Sequence, residues 1–125
     1  PNTYLGKTPL DMVRHFSRTY QQSMGHPWSK GTLKDLLRTV LIKEEYAEVL
    51  GATEAPEMLK ELADLVYVTY GFAATFGWDL DEAVRRVHAS NMSKLGDDGQ
   101  PIYREDGKVL KGPNYEPPNL EDLVA

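Results

Sequence analysis

The sequence of 125 residues contains no cysteine, and it has fewer basic than acidic side chains. Without cysteine the chain forms no disulfide, no cysteine-ligated zinc site and no thiol nucleophile. Its 14 lysines and arginines stand against 19 aspartates and glutamates, which gives a formal net charge of −5. A protein that binds nucleic acid regardless of sequence needs a basic face, so this balance argues against a polymeric nucleic-acid partner.

Long hydrophobic runs and phosphate-binding loops are also missing. The longest uncharged stretch, residues 65–78, has 14 residues and includes two glycines, so it is too short to span a bilayer. Residues 1–7 are polar and carry no apolar signal-peptide core, so we expect a cytoplasmic protein without a membrane partner. The sequence has no Gly-x-x-x-x-Gly-Lys-Ser/Thr loop, which excludes a P-loop NTPase.

The spacing of apolar residues predicts four helices, at residues 9–22, 32–51, 54–76 and 79–94. Thr8 and Asp79 suit the capping positions before the first and fourth helices, and Gly51 and Gly77 suit the positions that follow the second and third. The third helix is apolar on almost every side, which is typical of a central helix or of one shared with a partner subunit.

The last 30 residues differ in composition from the rest. They hold four of the ten glycines and four of the eight prolines, which disfavours regular helix. Asp106-Gly107 between short apolar segments predicts a hairpin. We therefore predict an all-α fold, with residues 1–125 as a single domain. Residues 8–95 would form a four-helix bundle and residues 96–125 an irregular arm.

Carboxylates interrupt the apolar stripe of the second helix. On a helical projection that starts at Leu33, Glu44 falls at about 20°, in the middle of the stripe. Glu48 falls at about 60°, still within it, and Glu45 lies on its shoulder at about 120°. A stripe of this kind is expected to face a core, where an unpaired carboxylate costs several kcal/mol, on the order of 3–5.

The third helix carries a matching pair. Glu61 points between apolar directions, and Asp64 lies about one turn further along. No lysine or arginine shares these stripes, so we expect the compensating charge to come from elsewhere. Glu45/Glu48 and Glu61/Asp64 on adjacent antiparallel helices would form an all-oxygen cluster suited to Mg²⁺ or Mn²⁺. The alternative is a pair of solvated acidic faces. A di-iron site is disfavoured because no histidine follows a glutamate by three residues.

Positive and polar groups follow near the end of the helical region. Asn91 and Lys94 share the apolar stripe of the fourth helix, and the arm adds Lys111 and Tyr115. An acidic metal cluster together with lysines is the arrangement expected for a phosphate ester held through divalent ions. The alternative interpretation makes the lysines solvated surface charges.

These motifs resemble a known family. Glu44-Glu45-Tyr46-Ala47-Glu48, followed after twelve residues by Glu61-Leu62-Ala63-Asp64, resembles the Glu-Glu-x-x-Glu…Glu-x-x-Asp signature of the MazG-like all-α nucleotide pyrophosphohydrolases. That superfamily includes phosphoribosyl-ATP pyrophosphatases (HisE) and dimeric dUTPases. Further segments look like the MazG/HisE-like branch of bacteria and phages: Asp11 to Phe16, Asn91 to Lys94, Asp106 to Lys111 and Tyr115 to Pro118.

The resemblance implies hydrolysis of a nucleoside triphosphate to the monophosphate and pyrophosphate with Mg²⁺ or Mn²⁺. It makes Glu45, Glu48, Glu61 and Asp64 metal ligands, and it makes Glu44 the general base that activates water. These roles are chemically consistent, because a carboxylate beside bound cations stays ionised and can accept a proton.

The resemblance also implies substrate contacts and partners. Phosphate and sugar would be bound by Asn91, Lys94, Lys111 and Tyr115, and the candidates for a base pocket are His15, Phe16 and Trp28. We expect a homodimer or a dimer of dimers, in the cytoplasm of a bacterium or of a phage-infected cell. Three hypotheses stay open: a (deoxy)nucleoside triphosphate pyrophosphohydrolase with a purine preference such as dGTP, a phosphoribosyl-ATP pyrophosphatase, and a catalytically silent helical binding module.

Overall fold

The computed structural model describes residues 3–125 and confirms the predicted all-α class. The helices are α1 (Pro9–Thr19), α2 (Leu33–Gly51), α3 (Ala55–Thr75) and α4 (Leu80–Met92). A short hairpin of β1 (Ile102–Tyr103) and β2 (Val109–Leu110) follows, and then a 3₁₀ helix at Glu121–Leu123. The chain divides into two compact units, of which the first ends at Leu80 and the second begins at Asp81. Nearly all of α4 therefore belongs to the same unit as the arm.

Side-chain caps define where α1 and α2 begin. The Oγ1 atom of Thr8 accepts a hydrogen bond from the backbone N–H of Asp11 at 3.1 Å, and the Thr8 N–H donates to Asp11 Oδ2 at 3.2 Å. At α2, Thr32 Oγ1 accepts from the backbone N–H of Asp35 at 3.4 Å. These contacts satisfy N–H groups that the first turn of a helix leaves unpaired. The capping role predicted for Thr8 is confirmed.

One helix end differs from the prediction, and two agree with it. The first helix ends at Thr19, three residues earlier than predicted, because Gln21 has a φ of 57° in the left-handed region. The second helix ends at Gly51, as predicted, and the extended backbone of Ala52 follows it. Gly77 has a φ of 71° and follows the end of α3, as predicted.

The core of the first unit lies where α1 packs against α3. Leu10 and Val13 of α1 contact Tyr70 and Ala74 of α3, and none of the four is more than 9% exposed. The second helix packs against α3 as well. The third helix is therefore central to this unit, as its apolar composition indicated.

The apolar stripe of α2 is not buried by residues 3–125. Leu33, Leu37 and Val40 are 72%, 56% and 48% exposed, although the stripe was predicted to face a core. The side of α2 that meets α3 carries Arg38 and Glu45 instead. The periodicity located the stripe correctly, but it did not indicate which surface would cover it.

The second unit contains the predicted hairpin. Ile102 pairs with Leu110 and Tyr103 with Val109 in an antiparallel register, and Gly107 in the connecting turn has a φ of 89°.

No helix in residues 3–125 is long and apolar enough to cross a bilayer.

Candidate metal centre and substrate site

Three carboxylates meet at the contact between α2 and α3. One oxygen atom each from Glu45, Glu61 and Asp64 lies within 4.8 Å of the others. The i, i+3 spacing of Glu61 and Asp64 places both on one side of α3, and α2 brings Glu45 against them. The clustering of these side chains, which the sequence predicted across two helices, is thus present in the fold. We refer to Glu45, Glu61 and Asp64 as the carboxylate group.

Glu61 is the buried member of the carboxylate group. The residue is 7% exposed, and its Oε2 atom is buried without any hydrogen-bond donor in residues 3–125. Leaving a buried carboxylate oxygen unpaired is energetically costly. A hydrogen-bond donor or a bound cation would satisfy this oxygen atom.

A lysine compensates part of the negative charge. The Nζ atom of Lys60 lies 2.8 Å from Asp64 Oδ2 and 3.4 Å from Glu61 Oε1, and these hydrogen bonds raise the pKa of the ammonium. The compensating charge comes from outside the apolar stripes, as expected, although Lys60 belongs to the same helix as Glu61 and Asp64. Lys60 starts on a neighbouring side of α3, and its long flexible stem carries the ammonium around to the carboxylates.

The single positive charge of Lys60 does not offset the negative charge of the carboxylate group. Burial raises the pKa of Glu45, and the charges of Asp64 and Glu61 raise it further, against an opposing effect of Lys60. Oxygen ligands of this kind are those that Mg²⁺ and Mn²⁺ prefer. The donor set and the unpaired oxygen of Glu61 therefore fit a hard divalent cation.

The other two glutamates of the α2 motif lie outside the carboxylate group. Glu48 is exposed, one turn beyond Glu45. Glu44 is also exposed and lines an open cavity of about 570 Å³ on α2. Their roles as a metal ligand and a general base stay predictions.

An aromatic pocket lies between α1 and α3. It has a volume of about 390 Å³ and is lined in part by His15, Phe16 and Tyr67. The rings of Phe16 and Tyr67 meet edge to face at 5.7 Å, and Tyr67 follows Asp64 by one helical turn. The sequence interpretation missed Tyr67, although its i, i+3 spacing from Asp64 could have indicated it.

Trp28 lies elsewhere in the unit. Its indole Nε1–H donates to Asp35 Oδ1 at 2.8 Å, and its ring packs near Trp78 at a centroid distance of 6.0 Å. The other oxygen of Asp35 accepts from the backbone N–H of Gly31 at 2.8 Å. These contacts fasten the loop before α2 and do not include the aromatic pocket.

In the second unit, the predicted phosphate and sugar ligands fall into two places. Asn91 and Lys94 line a cavity of about 330 Å³, together with residues of the arm that include Pro101. The ammonium of Lys111 lies over the ring of Tyr115, 4.7 Å from its centroid. A cation held over an aromatic face is restricted in its orientation.

Two serines fasten the arm to α4. Ser90, which is 7% exposed, donates through Oγ to the carbonyl oxygen of Glu116 at 2.7 Å. The backbone N–H of Glu116 donates to Ser93 Oγ at 2.9 Å. The sequence interpretation missed both serines because their partners lie more than twenty residues away.

A glycine brings the arm against the end of α4. The backbone N–H of Gly112 donates to the carbonyl oxygen of Lys94 at 2.8 Å, and a Cβ atom at Gly112 would clash with the Leu95 carbonyl oxygen. Only a residue without a side chain fits this approach. The contact of Gly112 with Lys94 therefore fixes the backbone position of the preceding residue, Lys111.

Comparison with known proteins identifies the family of this chain. No curated protein matches the chain. Residues 11–91 match the sequence model of a family described as phosphoribosyl-ATP pyrophosphohydrolase, and the matched segment contains the carboxylate group, Glu44, Glu48 and the aromatic pocket residues from α1 and α3. The match covers most of the chain, so this protein belongs to the phosphoribosyl-ATP pyrophosphohydrolase family, within the MazG-like all-α superfamily of enzymes that hydrolyse phosphoric anhydrides.

Proposed function

We propose that this enzyme converts a nucleoside or deoxynucleoside triphosphate to the monophosphate and pyrophosphate, with Mg²⁺ or Mn²⁺ bound at the carboxylate group. The observation that carries the proposal is the buried, unpaired Oε2 atom of Glu61 beside Glu45 and Asp64. Glu48, one turn from Glu45, would join them as a fourth ligand. When bound, the metal polarises the phosphate oxygens and activates water.

Residues of the chain would supply the general base and bind the substrate. Glu44 accepts the proton of the water that attacks phosphorus, since an ionised carboxylate is a competent general base. His15, Phe16 and Tyr67 hold the base, because aromatic faces stack on a nucleobase. The binding roles of Asn91, Lys94, Lys111 and Tyr115 toward phosphate or sugar stay predictions from the resemblance. A purine such as dGTP is the substrate we would test first.

A nucleotide panel tests the proposal. We expect pyrophosphate release with Mg²⁺ or Mn²⁺, abolished by EDTA and by Glu61→Gln or Glu48→Gln. Glu54→Gln, at an exposed position whose side chain makes no capping bond, is the matched control and should retain activity. Release of orthophosphate alone, or no turnover across the panel, would overturn the proposal.

Phosphoribosyl-ATP is a second candidate substrate, favoured by the family description and by a cationic pocket. This pocket, of about 350 Å³, is lined by three cations, Lys7, Arg14 and Arg18, and by one carboxylate, Asp11. It shares His15 with the aromatic pocket. None of the three cations makes an ion pair within residues 3–125. A phosphate at the base end of the nucleotide would be suited to it. Side-by-side turnover of dGTP and phosphoribosyl-ATP, repeated with Arg14→Gln, decides between the two substrates.

We further propose that the chain assembles as a homodimer or a dimer of dimers. The exposed stripe of α2 supports this, as does the 70% exposure of Leu59 and the 49% exposure of Val66 on α3. Apolar surface of this extent is normally covered by a partner. Light scattering after size-exclusion chromatography should give a multiple of the chain mass, and Leu37→Glu should reduce it. A wild-type monomer at micromolar concentration would contradict the assembly.

A further inference from the structure

The side chain of Arg38 on α2 extends to α3, where its guanidinium lies against Gly71 and Thr75. Its Nε–H donates to Thr75 Oγ1 at 2.8 Å, and the Thr75 hydroxyl donates in turn to the Gly71 carbonyl oxygen at 2.9 Å. A Cβ atom at Gly71 would lie 3.0 Å from Nη1 and 3.4 Å from Nη2 of Arg38. The absence of a side chain at Gly71 therefore makes room for the two terminal nitrogens.

No carboxylate within residues 3–125 pairs with this guanidinium. Arg38 is half-buried, and burial lowers its pKa, yet an arginine side chain stays charged at neutral pH. Partial burial of a cation without an acidic partner is costly. The Nη atoms, which make no hydrogen bond to residues 3–125, are free to bind an anion through two parallel bonds.

The surroundings of Arg38 connect it with the proposed reaction. The open cavity of about 570 Å³ that Glu44 lines is also lined by Arg38, Lys34 and Thr75. This cavity thus combines two cations with the proposed general base. A phosphate group is the kind of ligand that such cations would attract.

The position of Arg38 along α2 indicates how a substrate could lie relative to the carboxylate group. Arg38 and Glu45 are seven residues apart, so they point the same way, with two helical turns or about 10 Å between them along the axis. The side of α2 that meets α3 therefore carries the carboxylate of Glu45 and, two turns away, the guanidinium of Arg38, which has no carboxylate partner within residues 3–125. The aromatic pocket with Tyr67 lies on the α1 side of α3 instead.

We infer that Arg38 is a substrate-binding residue whose Nη atoms hold the phosphate oxygens that leave as pyrophosphate. The inference rests on the proposed function. The nucleoside would extend toward α1, and the leaving pyrophosphate would extend along α2 toward Arg38. As the phosphorus–oxygen bond breaks, negative charge develops on the leaving group, and a fixed guanidinium stabilises that charge.

Two variants and a control test the inference. In Arg38→Gln we expect kcat/KM for the best nucleotide to fall about 100-fold, and Arg38→Lys should recover part of it because it keeps the charge but not the paired N–H groups. Arg85→Gln, which removes an exposed arginine paired with Glu82 on α4, is the control and should leave turnover unchanged.

Binding measurements give a readout that does not require turnover. Inorganic pyrophosphate with Mg²⁺ should raise the melting temperature of the wild type but not of Arg38→Gln, whereas Mn²⁺ alone should raise both equally. If no nucleotide is hydrolysed, the proposed function fails, while the pyrophosphate measurement still decides the role of Arg38.

Three results would overturn the inference. They are an unchanged kcat/KM together with an unchanged pyrophosphate effect in Arg38→Gln, a loss of the Mn²⁺ effect in that variant, and a change in its oligomeric state with pyrophosphate binding intact. The second result would mark a structural role for Arg38, and the third would place it in a subunit interface.

Discussion

The ammonium of Lys60 lies 2.8 Å from Asp64 and 3.4 Å from Glu61, so one lysine is the counter-ion of two members of the carboxylate group. A divalent cation bound to the same carboxylates would compete with this ammonium for their oxygen atoms. The lysine side chain is 69% exposed and free to move away into solvent. The ion pair therefore supports the fold most when no metal is bound.

Replacement of Lys60 should make the protein more dependent on metal. We expect Lys60→Met to lower the melting temperature of the metal-free protein by about 2–4 °C. The rise in melting temperature on adding Mn²⁺ should be larger than in the wild type, because the competing cation is gone. Lys43→Met, at an exposed lysine without an ion pair within residues 3–125, is the control. An unchanged Mn²⁺ effect would contradict the competition.

Glu45 should give the metal-free protein a distinct pH dependence. Burial and the neighbouring charges of Asp64 and Glu61 raise the pKa of Glu45 in the folded state. Its ionised form therefore destabilises the fold, and this cost disappears as the pH falls through the raised pKa. As the pH falls from neutral through this raised pKa toward 4.5, the ordinary value for a glutamate, the melting temperature of the wild type should rise relative to that of Glu45→Gln.

Asp122 provides a comparison of opposite sign. The hydrogen bonds from Arg86 lower the pKa of Asp122, so its contribution to stability is present near neutral pH and is lost as the pH falls through the lowered pKa. The wild type should thus lose stability relative to Asp122→Asn at acid pH. A difference between wild type and Glu45→Gln that stays constant from neutral pH down to 4.5 would contradict the prediction for Glu45.

Trp28 should prove to be important for stability and not for substrate binding. Trp28→Phe removes the indole N–H that Asp35 accepts at 2.8 Å, which leaves a buried carboxylate oxygen with one partner fewer. We expect a lower melting temperature and an unchanged KM, whereas Phe16→Ala should raise KM through loss of the aromatic pocket. A higher KM in Trp28→Phe without loss of thermal stability would instead place Trp28 at the substrate.

Gly112→Ala should release the arm from α4. The new Cβ atom would clash with the Leu95 carbonyl oxygen, a backbone atom that cannot rotate away as the end of a flexible side chain could. We expect faster hydrogen exchange at residues 111–116 and a higher KM, because Lys111 loses its fixed position. Ser90→Ala should have a weaker effect of the same kind, and the exposed Glu105→Ala should have none. Unchanged exchange in Gly112→Ala would contradict the role of this contact.

Features set by neighbouring residues were predictable from the sequence. The cap at Thr8 depends on a residue three positions away, and the turn at Asp106-Gly107 depends on the conformational freedom of one glycine. The pairing of Glu61 with Asp64 follows from helical periodicity alone. Each of these predictions uses information within one helical turn or one hairpin.

Features that depend on contacts between distant segments were not predictable in the same way. Periodicity located the apolar stripe of α2 but could not indicate that α3 packs against a different side, with Arg38 and Glu45. The compensation by Lys60 depends on the reach of a long side chain, which a projection based on Cα positions ignores. The contact between Gly112 and Lys94 joins residues eighteen positions apart, and no local pattern indicates it.

The backbone hydrogen bond between Gly112 and Lys94 indicates where the chain can accept insertions and deletions. It closes residues 95–111 into a loop whose two ends are held together, and the hairpin lies entirely inside that loop. Because the entropy of closing a loop grows only slowly with its length, residues could be inserted or removed at the hairpin tip at little cost. The tip around Asp106 and Gly107 is therefore a suitable attachment point for a fluorophore or a fused peptide, since changes there would leave Lys111 and Tyr115 in register with α4.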